Sequence, residues 1–201
     1  MGEEEGLSTL VGSGAVVHTR AERELAVSHW LACAADDLRT AQEQWEDQGL
    51  ALLRCGGLFA AVRIPAAIVL AAAGTDDRDG VDAFLADALH GGPVFVDTVS
   101  GCYYCLVPAS ARHGWTSVDA ACLGRESYLG VPNPRLDGSS PGARSYWCVP
   151  MDGPGDLCVV SSVQKLVLLG RHRRIRGDRM IQGEAGHGSP VASEAADADD
   201  G

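Results

Sequence analysis

The spacing of apolar residues changes from helical to extended near residue 92. Before that point, except in residues 52–65, apolar side chains recur every three or four residues, as in amphipathic helices. The pattern predicts four helices, in the segments AERELAVSHWLACAADD, DDLRTAQEQWEDQG, PAAIVLAAAG and DGVDAFLADALHGG. On the first helix we expect one face formed by Leu25, Ala26, His29, Trp30 and Cys33.

The second helix carries start and stop signals. Asp36 or Asp37 is placed to cap its N-terminus, where a carboxylate accepts hydrogen bonds from unpaired backbone N–H groups. Gly49 is placed to end it. Its apolar stripe consists of Leu38, Ala41 and Trp45.

Short segments rich in β-branched and aromatic residues predict the strands. The stretch LLRCGGLFAAVRIP, residues 52–65, has two apolar runs around a Gly-Gly turn, which indicates a strand pair. Turn residues separate PVFVD, CYYCLVP, SYLGVP and SYWCVP, and VVSSVQKLVLLG predicts a closing helix. This order indicates an α+β (mixed α/β) fold with a single central sheet flanked by helices.

The length of 201 residues indicates one domain with tails. We place this domain at residues 22–173. An acidic, Gly-rich tail precedes it at residues 1–21, and residues 174–201 have the acidic composition of a disordered tail.

The net charge of −11 disfavours general binding to duplex DNA, which attracts basic surfaces. The start MGEEEG lacks the positive charge of a secretory signal, and the longest apolar run, IPAAIVLAAAG, is too short to cross a bilayer. We therefore expect a cytoplasmic protein with no membrane contact, whose seven cysteines are reduced thiols.

The segment GCYYCLV has a C-x-x-C spacing, but a structural zinc site needs four ligands and the sequence has no second such pair. Along a strand, Cys102 and Cys105 point to opposite faces. We expect small buried thiols and no metal site. The sequence also contains no P-loop, dinucleotide-binding fingerprint or Ser-His-Asp arrangement.

Four segments in order resemble the N-terminal domain of the bifunctional DNA primase/polymerase (prim-pol) family. DDLRTAQEQWEDQG is similar to the family's aspartate-led helix, and LALLRCGGLFAAVRIP to its paired strands, of which the second bears Asp-x-Asp before a proline. VDTVSGCYYCLVP resembles the strand–turn–strand with Ser-Gly and a following histidine. CLGRESYLGVPNPRLDGSSPGARSYWCVP resembles an aspartate-bearing strand, a Gly-Tyr strand and a strand that ends in Tyr-x-Trp.

The resemblance covers about residues 30–150 and implies a prim-pol-like α+β domain. The positions that match its scaffold also suit an ordinary core and its turns. They are Trp45, Gly56, Gly57, Ser100, Gly101, Tyr128, Pro132, Pro134, Tyr146 and Trp147.

The resemblance also implies carboxylates that hold a divalent metal for nucleotidyl transfer, and the sequence departs from the family there. No acid occurs between Asp47 and Asp76. The Asp-x-Asp positions fall within residues 60–64, where apolar residues and Arg63 stand, and Cys-Tyr-Tyr takes the place of the histidine. The third acid has one nearby candidate, Asp119, the weak candidate for a catalytic residue.

We therefore expect a prim-pol-like domain that has lost nucleotidyl transfer and binds a nucleotide, a nucleic-acid end or a replication protein, with no cofactor. A guanidinium binds phosphate directly as a bidentate fork, without metal. The candidate phosphate-binding residues are Arg63, Ser100, Gly101 and Arg125.

Two alternatives stay open. One is an active nucleotidyltransferase that uses Mg²⁺ and recruits Asp97, Asp119 or Asp152 in place of the missing acids. The other is a protein-interaction domain with no ligand pocket.

Two further motifs follow residue 150. MDGPGDLC has too few alternating oxygen ligands for a calcium loop, so we expect a turn and a helix N-cap at Asp156. RHRRIRGDR is either a solvated helix end, favoured by the helix dipole, or a contact for nucleic acid or an acidic partner. Its arginines are Arg171, Arg173, Arg174, Arg176 and Arg179.

Overall fold

The computed structural model describes residues 19–139 and 142–185, so most of both expected tails (residues 1–18 and 186–201) lies outside the described residues. The helices are α1 (Arg20–Ala32), α2 (Leu38–Gln48), α3 (Ala66–Ala73), α4 (Arg78–Ala88), α5 (Ala111–Gly114) and α6 (Val160–Ala185). The strands are β1 (Leu50–Arg54), β2 (Phe59–Pro65), β3 (Val94–Asp97), β4 (Cys102–Pro108), β5 (Ala121–Leu123), β6 (Tyr128–Pro132) and β7 (Ser145–Val149).

The strands form antiparallel sheets packed with helices, which confirms the α+β class. Five strands form one sheet in the order β5-β2-β4-β3-β7, and β1 pairs with β6 in a separate two-stranded sheet. The expectation of a single central sheet was therefore wrong for β1 and β6. The strand pair expected within residues 52–65 is likewise not formed, because β1 and β2 lie in different sheets.

The position of β2 explains this division. Five of its seven residues, Phe59 to Val62 and Ile64, are buried, as in a strand covered on both faces. It pairs with β4 on one edge and β5 on the other, so no edge is left for β1. On the outer edge of β1, the Leu52 N–H donates to the Gln44 side chain at 2.9 Å and the Arg54 N–H to the Ala34 carbonyl at 2.8 Å.

The five-stranded sheet has a core on each face. Helices α3, α4 and α6 cover one face, and α1, α2 and the two-stranded sheet cover the other. Cys105 is buried in the first core and Cys102 packs against the second, which confirms that they point to opposite faces. At the crossing of α3 and α6, a Cβ on Gly170 would collide with the Ile68 carbonyl, so the two backbones approach as closely as glycine allows.

The signals expected for α2 are confirmed. The Asp37 carboxylate accepts the Thr40 N–H at 2.7 Å, and Gly49 ends the helix with a left-handed φ of +70°. Trp45 is buried, and its indole N–H donates to the Val131 carbonyl of β6 at 2.9 Å. The Trp147 indole N–H of β7 donates to the carbonyl of Pro132, the next residue of β6, at 3.2 Å. Two indoles, one from α2 and one from β7, therefore bind the backbone of β6. Leu38 is exposed.

The face expected for α1 was wrong. Val27, Leu31 and Ala32 are buried, whereas Leu25 is half exposed and Cys33 is exposed. Apolar residues occur on both sides of this helix, and packing against the second core selects the side with Val27 and Leu31.

The C-terminal expectations need two corrections. Helix α6 continues to Ala185, so residues 174–185 belong to a helix and not to a disordered tail. Asp156 lies in a turn, with its N–H donating to the Gly153 carbonyl, and α6 begins only at Val160. Within residues 19–139 and 142–185, no helix has both the length and the apolar character that crossing a membrane requires.

Candidate functional site

Arg63 lies on β2, the strand next to the edge strand β5 of the five-stranded sheet. It lies opposite Tyr104 of β4 and Ala121 of β5. The side chains of β2 before it are buried, and Arg63 itself is exposed. Most residues of β2 are buried, so the exposed Arg63 marks the position where this part of the sheet is accessible to solvent.

A cavity of about 440 Å³ adjoins Arg63, and we call it the β5 cavity. This volume is within the range typical of small-molecule sites. Its wall is formed by the segment from Arg112 to Cys122 together with β2. The polar and charged side chains that line it are Arg63, Arg112, Thr116, Ser117 and Asp119.

Local contacts hold the wall of the β5 cavity in place. The Trp115 indole N–H donates to the Ala120 carbonyl at 2.8 Å and closes the loop that carries the two hydroxyls. The Asp119 N–H donates to the Ser117 hydroxyl at 3.3 Å. The Arg112 side chain lies against Gly124, where a Cβ would stand 2.9 Å from the Arg112 Cγ.

The β5 cavity carries excess positive charge. Neither Arg63 nor Arg112 forms an ion pair or side-chain hydrogen bond with another described residue, whereas Asp119 pairs with Arg171 of α6 at 3.4 Å. Burial raises the pKa of the Cys122 thiol, and the Arg112 guanidinium opposes that shift. Two unpaired cations beside a neutralised acid are an arrangement whose chemistry suits an anion.

The other candidate phosphate-binding residues lie elsewhere. Arg125 follows the opposite end of β5 and lines a separate cavity of about 720 Å³ with Arg54 and the Gly56–Gly57 turn. Ser100 and Gly101 form the turn between β3 and β4, where the Gly101 carbonyl accepts the Ala66 N–H at 2.8 Å. The structure therefore does not bring Arg63, Ser100, Gly101 and Arg125 into one pocket.

The three acids considered as replacement metal ligands are also dispersed. Asp97 ends β3 and accepts the Val99 N–H at 3.0 Å, and Asp152 pairs with Arg23 at 3.5 Å. Asp119 precedes β5, which two strands separate from β3, a distance of about 14 Å at 4.8 Å per strand. Strand β5 begins only at Ala121, so Asp119 does not belong to it. Among residues 19–139 and 142–185, no three His, Cys, Asp or Glu side chains are placed to hold a metal ion.

Sequence reasoning missed Arg112 and the hydroxyls of Thr116 and Ser117. The sequence feature that could have indicated them is the segment ARHGWTS, in which an arginine precedes a tryptophan and two hydroxyl residues follow it. Arg112 lies on α5, and the Trp115 indole closes the following loop onto Ala120, so that all three residues line one wall.

Comparisons with protein-family models, with curated proteins and with solved structures found no match for the chain. The expected resemblance to prim-pol domains therefore rests on the four sequence segments alone, and a proposal for the function has to be argued from the chemistry of the β5 cavity.

Proposed function

We propose that the chain is a prim-pol-like domain that has lost nucleotidyl transfer and binds the phosphates of a nucleotide or nucleic-acid end in the β5 cavity. The observation that carries the proposal is the pair Arg63 and Arg112, two unpaired guanidinium groups that line one cavity. Arg63 lies within residues 60–64, the stretch in which the family resemblance implies metal-binding carboxylates.

A guanidinium in place of a carboxylate changes the way in which the site would bind phosphate. A carboxylate attracts Mg²⁺, which in turn attracts phosphate, whereas a guanidinium binds the phosphate directly through two parallel N–H groups. Thr116 and Ser117 add hydroxyl donors on the same wall. Binding should therefore need no divalent metal and should weaken in high salt, because both arginines are exposed.

ATP in the presence of EDTA is a suitable probe for this site. Ligand at one hundred times its dissociation constant stabilises a protein by about 2.7 kcal/mol, which raises the thermal midpoint of a domain of this size by about 5–10 °C. We expect Arg63→Ala and Arg112→Ala each to reduce that shift. Arg39→Ala is the matched control, since Arg39 pairs with Glu43 on α2, outside the cavity.

The result that contradicts the proposal is the absence of any shift with millimolar ATP in the wild-type chain. A shift that both cavity variants retain would place binding at another site.

The second candidate function is a protein-interaction domain whose partner is a replication protein. We propose the reducing cytoplasm as the compartment of both. Leu168 and Ile175 are exposed on α6 beside the arginine cluster, and exposed apolar side chains flanked by charge suit a protein contact. This candidate takes precedence if nucleotides do not bind.

A further inference from the structure

The arginine cluster of α6 is not a uniformly solvated helix end. The Arg173 guanidinium donates to the Ala72 carbonyl at 2.6 Å, so it caps the C-terminus of α3. Arg171 and Arg174 instead line a smaller cavity of about 210 Å³ with Asp119, Ile68 and Ile175.

This smaller cavity and the β5 cavity share Asp119. Arg63 and Arg112 line one of these cavities and Arg171 and Arg174 line the other, and we call these four residues the basic band. Among the described residues that line the two cavities, Asp119 is the one acid. The band therefore has excess positive charge in a chain whose net charge is −11.

The sequence that continues beyond α6 has the opposite charge. Residues 186–201 contain Glu194, Asp197, Asp199 and Asp200 and no lysine or arginine. Carboxylates closely spaced in sequence offer guanidinium groups the same type of acceptor as adjacent phosphates do.

The length of this segment permits its carboxylates to reach the basic band. Arg171 lies fourteen residues before the end of α6, a distance of about 21 Å along the helix. The twelve residues from 186 to 197 span at most about 40 Å when extended, so Asp197 can return past Arg174.

We propose that the acidic segment 186–201 binds the basic band of its own chain and competes there with the phosphate ligand. The proposal rests on the proposed function of the β5 cavity. A covalently attached segment competes at an effective concentration on the order of millimolar, so even a weak contact lowers the apparent affinity for phosphate. The acidic N-terminal segment is the weaker competitor, because it joins α1, which covers the opposite face of the five-stranded sheet from α6.

The test uses two full-length variants with the same change in charge. One carries Asp197→Asn, Asp199→Asn and Asp200→Asn, and the control carries Glu3→Gln, Glu4→Gln and Glu5→Gln. Calorimetric titration with inorganic tripolyphosphate in EDTA and low salt gives the dissociation constant of each. We expect the C-terminal variant to bind at least about fivefold more tightly than wild type, because a tethered competitor at millimolar effective concentration lowers the apparent affinity even when its own contact is weak, and the control to bind as wild type does.

The outcomes separate the two proposals. Equal dissociation constants for the wild type and the C-terminal variant overturn competition by the segment and leave the anion site intact. Equal tightening in the N-terminal control also overturns it, since a general charge effect then suffices. An effect that grows with protein concentration assigns the contact to a second copy and overturns the intramolecular form. No binding by any of the three proteins overturns the proposed function itself.

Discussion

Arg171 of α6 and Asp119, two residues before β5, are joined by an ion pair of 3.4 Å across the boundary of two cavities. The pair attaches the arginine-rich part of α6 to the wall of the candidate anion site. It also neutralises the acid that would otherwise repel phosphate there. In the proposed function, Asp119 would therefore have the opposite role to that of a metal-binding carboxylate.

Replacing Asp119 with asparagine should strengthen ATP binding. The substitution removes a negative charge from the cavity and releases Arg171. A partly exposed carboxylate contributes about 0.5–1 kcal/mol, so the dissociation constant should fall by about two- to fivefold. Asp152→Asn is the control, because Asp152 is also paired with an arginine but does not line the β5 cavity. Weaker binding by Asp119→Asn would favour a carboxylate that assists the ligand, as in the nucleotidyltransferase alternative.

The purified chain should neither extend a primer nor make one with Mg²⁺ or Mn²⁺. The reason is that Asp97, Asp119 and Asp152 do not converge on one metal position. Incorporation of labelled nucleotides on a primed and an unprimed template measures this. Template-dependent incorporation that disappears in Asp119→Ala would contradict the prediction and establish the nucleotidyltransferase alternative.

The adjacent glycines of the β1–β2 turn should respond differently to alanine. Gly56 has a φ of +88°, and a Cβ there would lie 2.5 Å from the Arg125 backbone nitrogen, whereas a Cβ on Gly57 would meet nothing within 4 Å. Gly56→Ala should cost about 1–3 kcal/mol, or about 2–12 °C in thermal midpoint, and Gly57→Ala should change stability little. Equal midpoints for the two variants would show that this turn does not pack against Arg125.

Stability should fall as the pH rises from about 8.5 to 11. Burial, and secondarily the Cys122 thiol, raises the pKa of Cys55 to about 11. The unfolded thiol loses its proton near pH 8.5, while the folded thiol retains it, so the contribution is complete below pH 8.5 and is lost through this window. Urea unfolding in reducing buffer at pH 8 and pH 10.5 measures the loss. In Cys55→Ala the loss between the two pH values should be smaller, and an unchanged loss would rule out Cys55 as a source.

Local patterns in the sequence were sufficient for much of the secondary structure. The cap at Asp37, the stop at Gly49 and the alternation of Cys102 and Cys105 depend on residues close in sequence, and the structure confirms all three. The division into two sheets depends on the pairing of β1 with β6, more than seventy residues later. No local pattern distinguishes that pairing from a hairpin of β1 with β2.

The candidate site was less predictable for the same reason. Arg63 was identified because it lies within residues 60–64, where the prim-pol resemblance implies Asp-x-Asp, and it does line a cavity. Arg125 was assigned to the same pocket, but β5 runs antiparallel to β2, which places it at the far end of the strand. Arg112 lies on α5 with its side chain against Gly124 and lines the cavity from there, which a linear pattern does not show.

The close crossing at Gly170 has a consequence for the angular setting of α6. The contact with the Ile68 carbonyl fixes the rotation of the helix about its own axis one residue before Arg171. Each residue of an α-helix advances by about 100°, so one residue inserted between positions 170 and 171 would turn the following arginines away from Asp119. The composition of the chain would hardly change, yet its positive charges would face a different direction. The spacing between Gly170 and Arg171 therefore determines the direction in which these arginines point relative to Asp119.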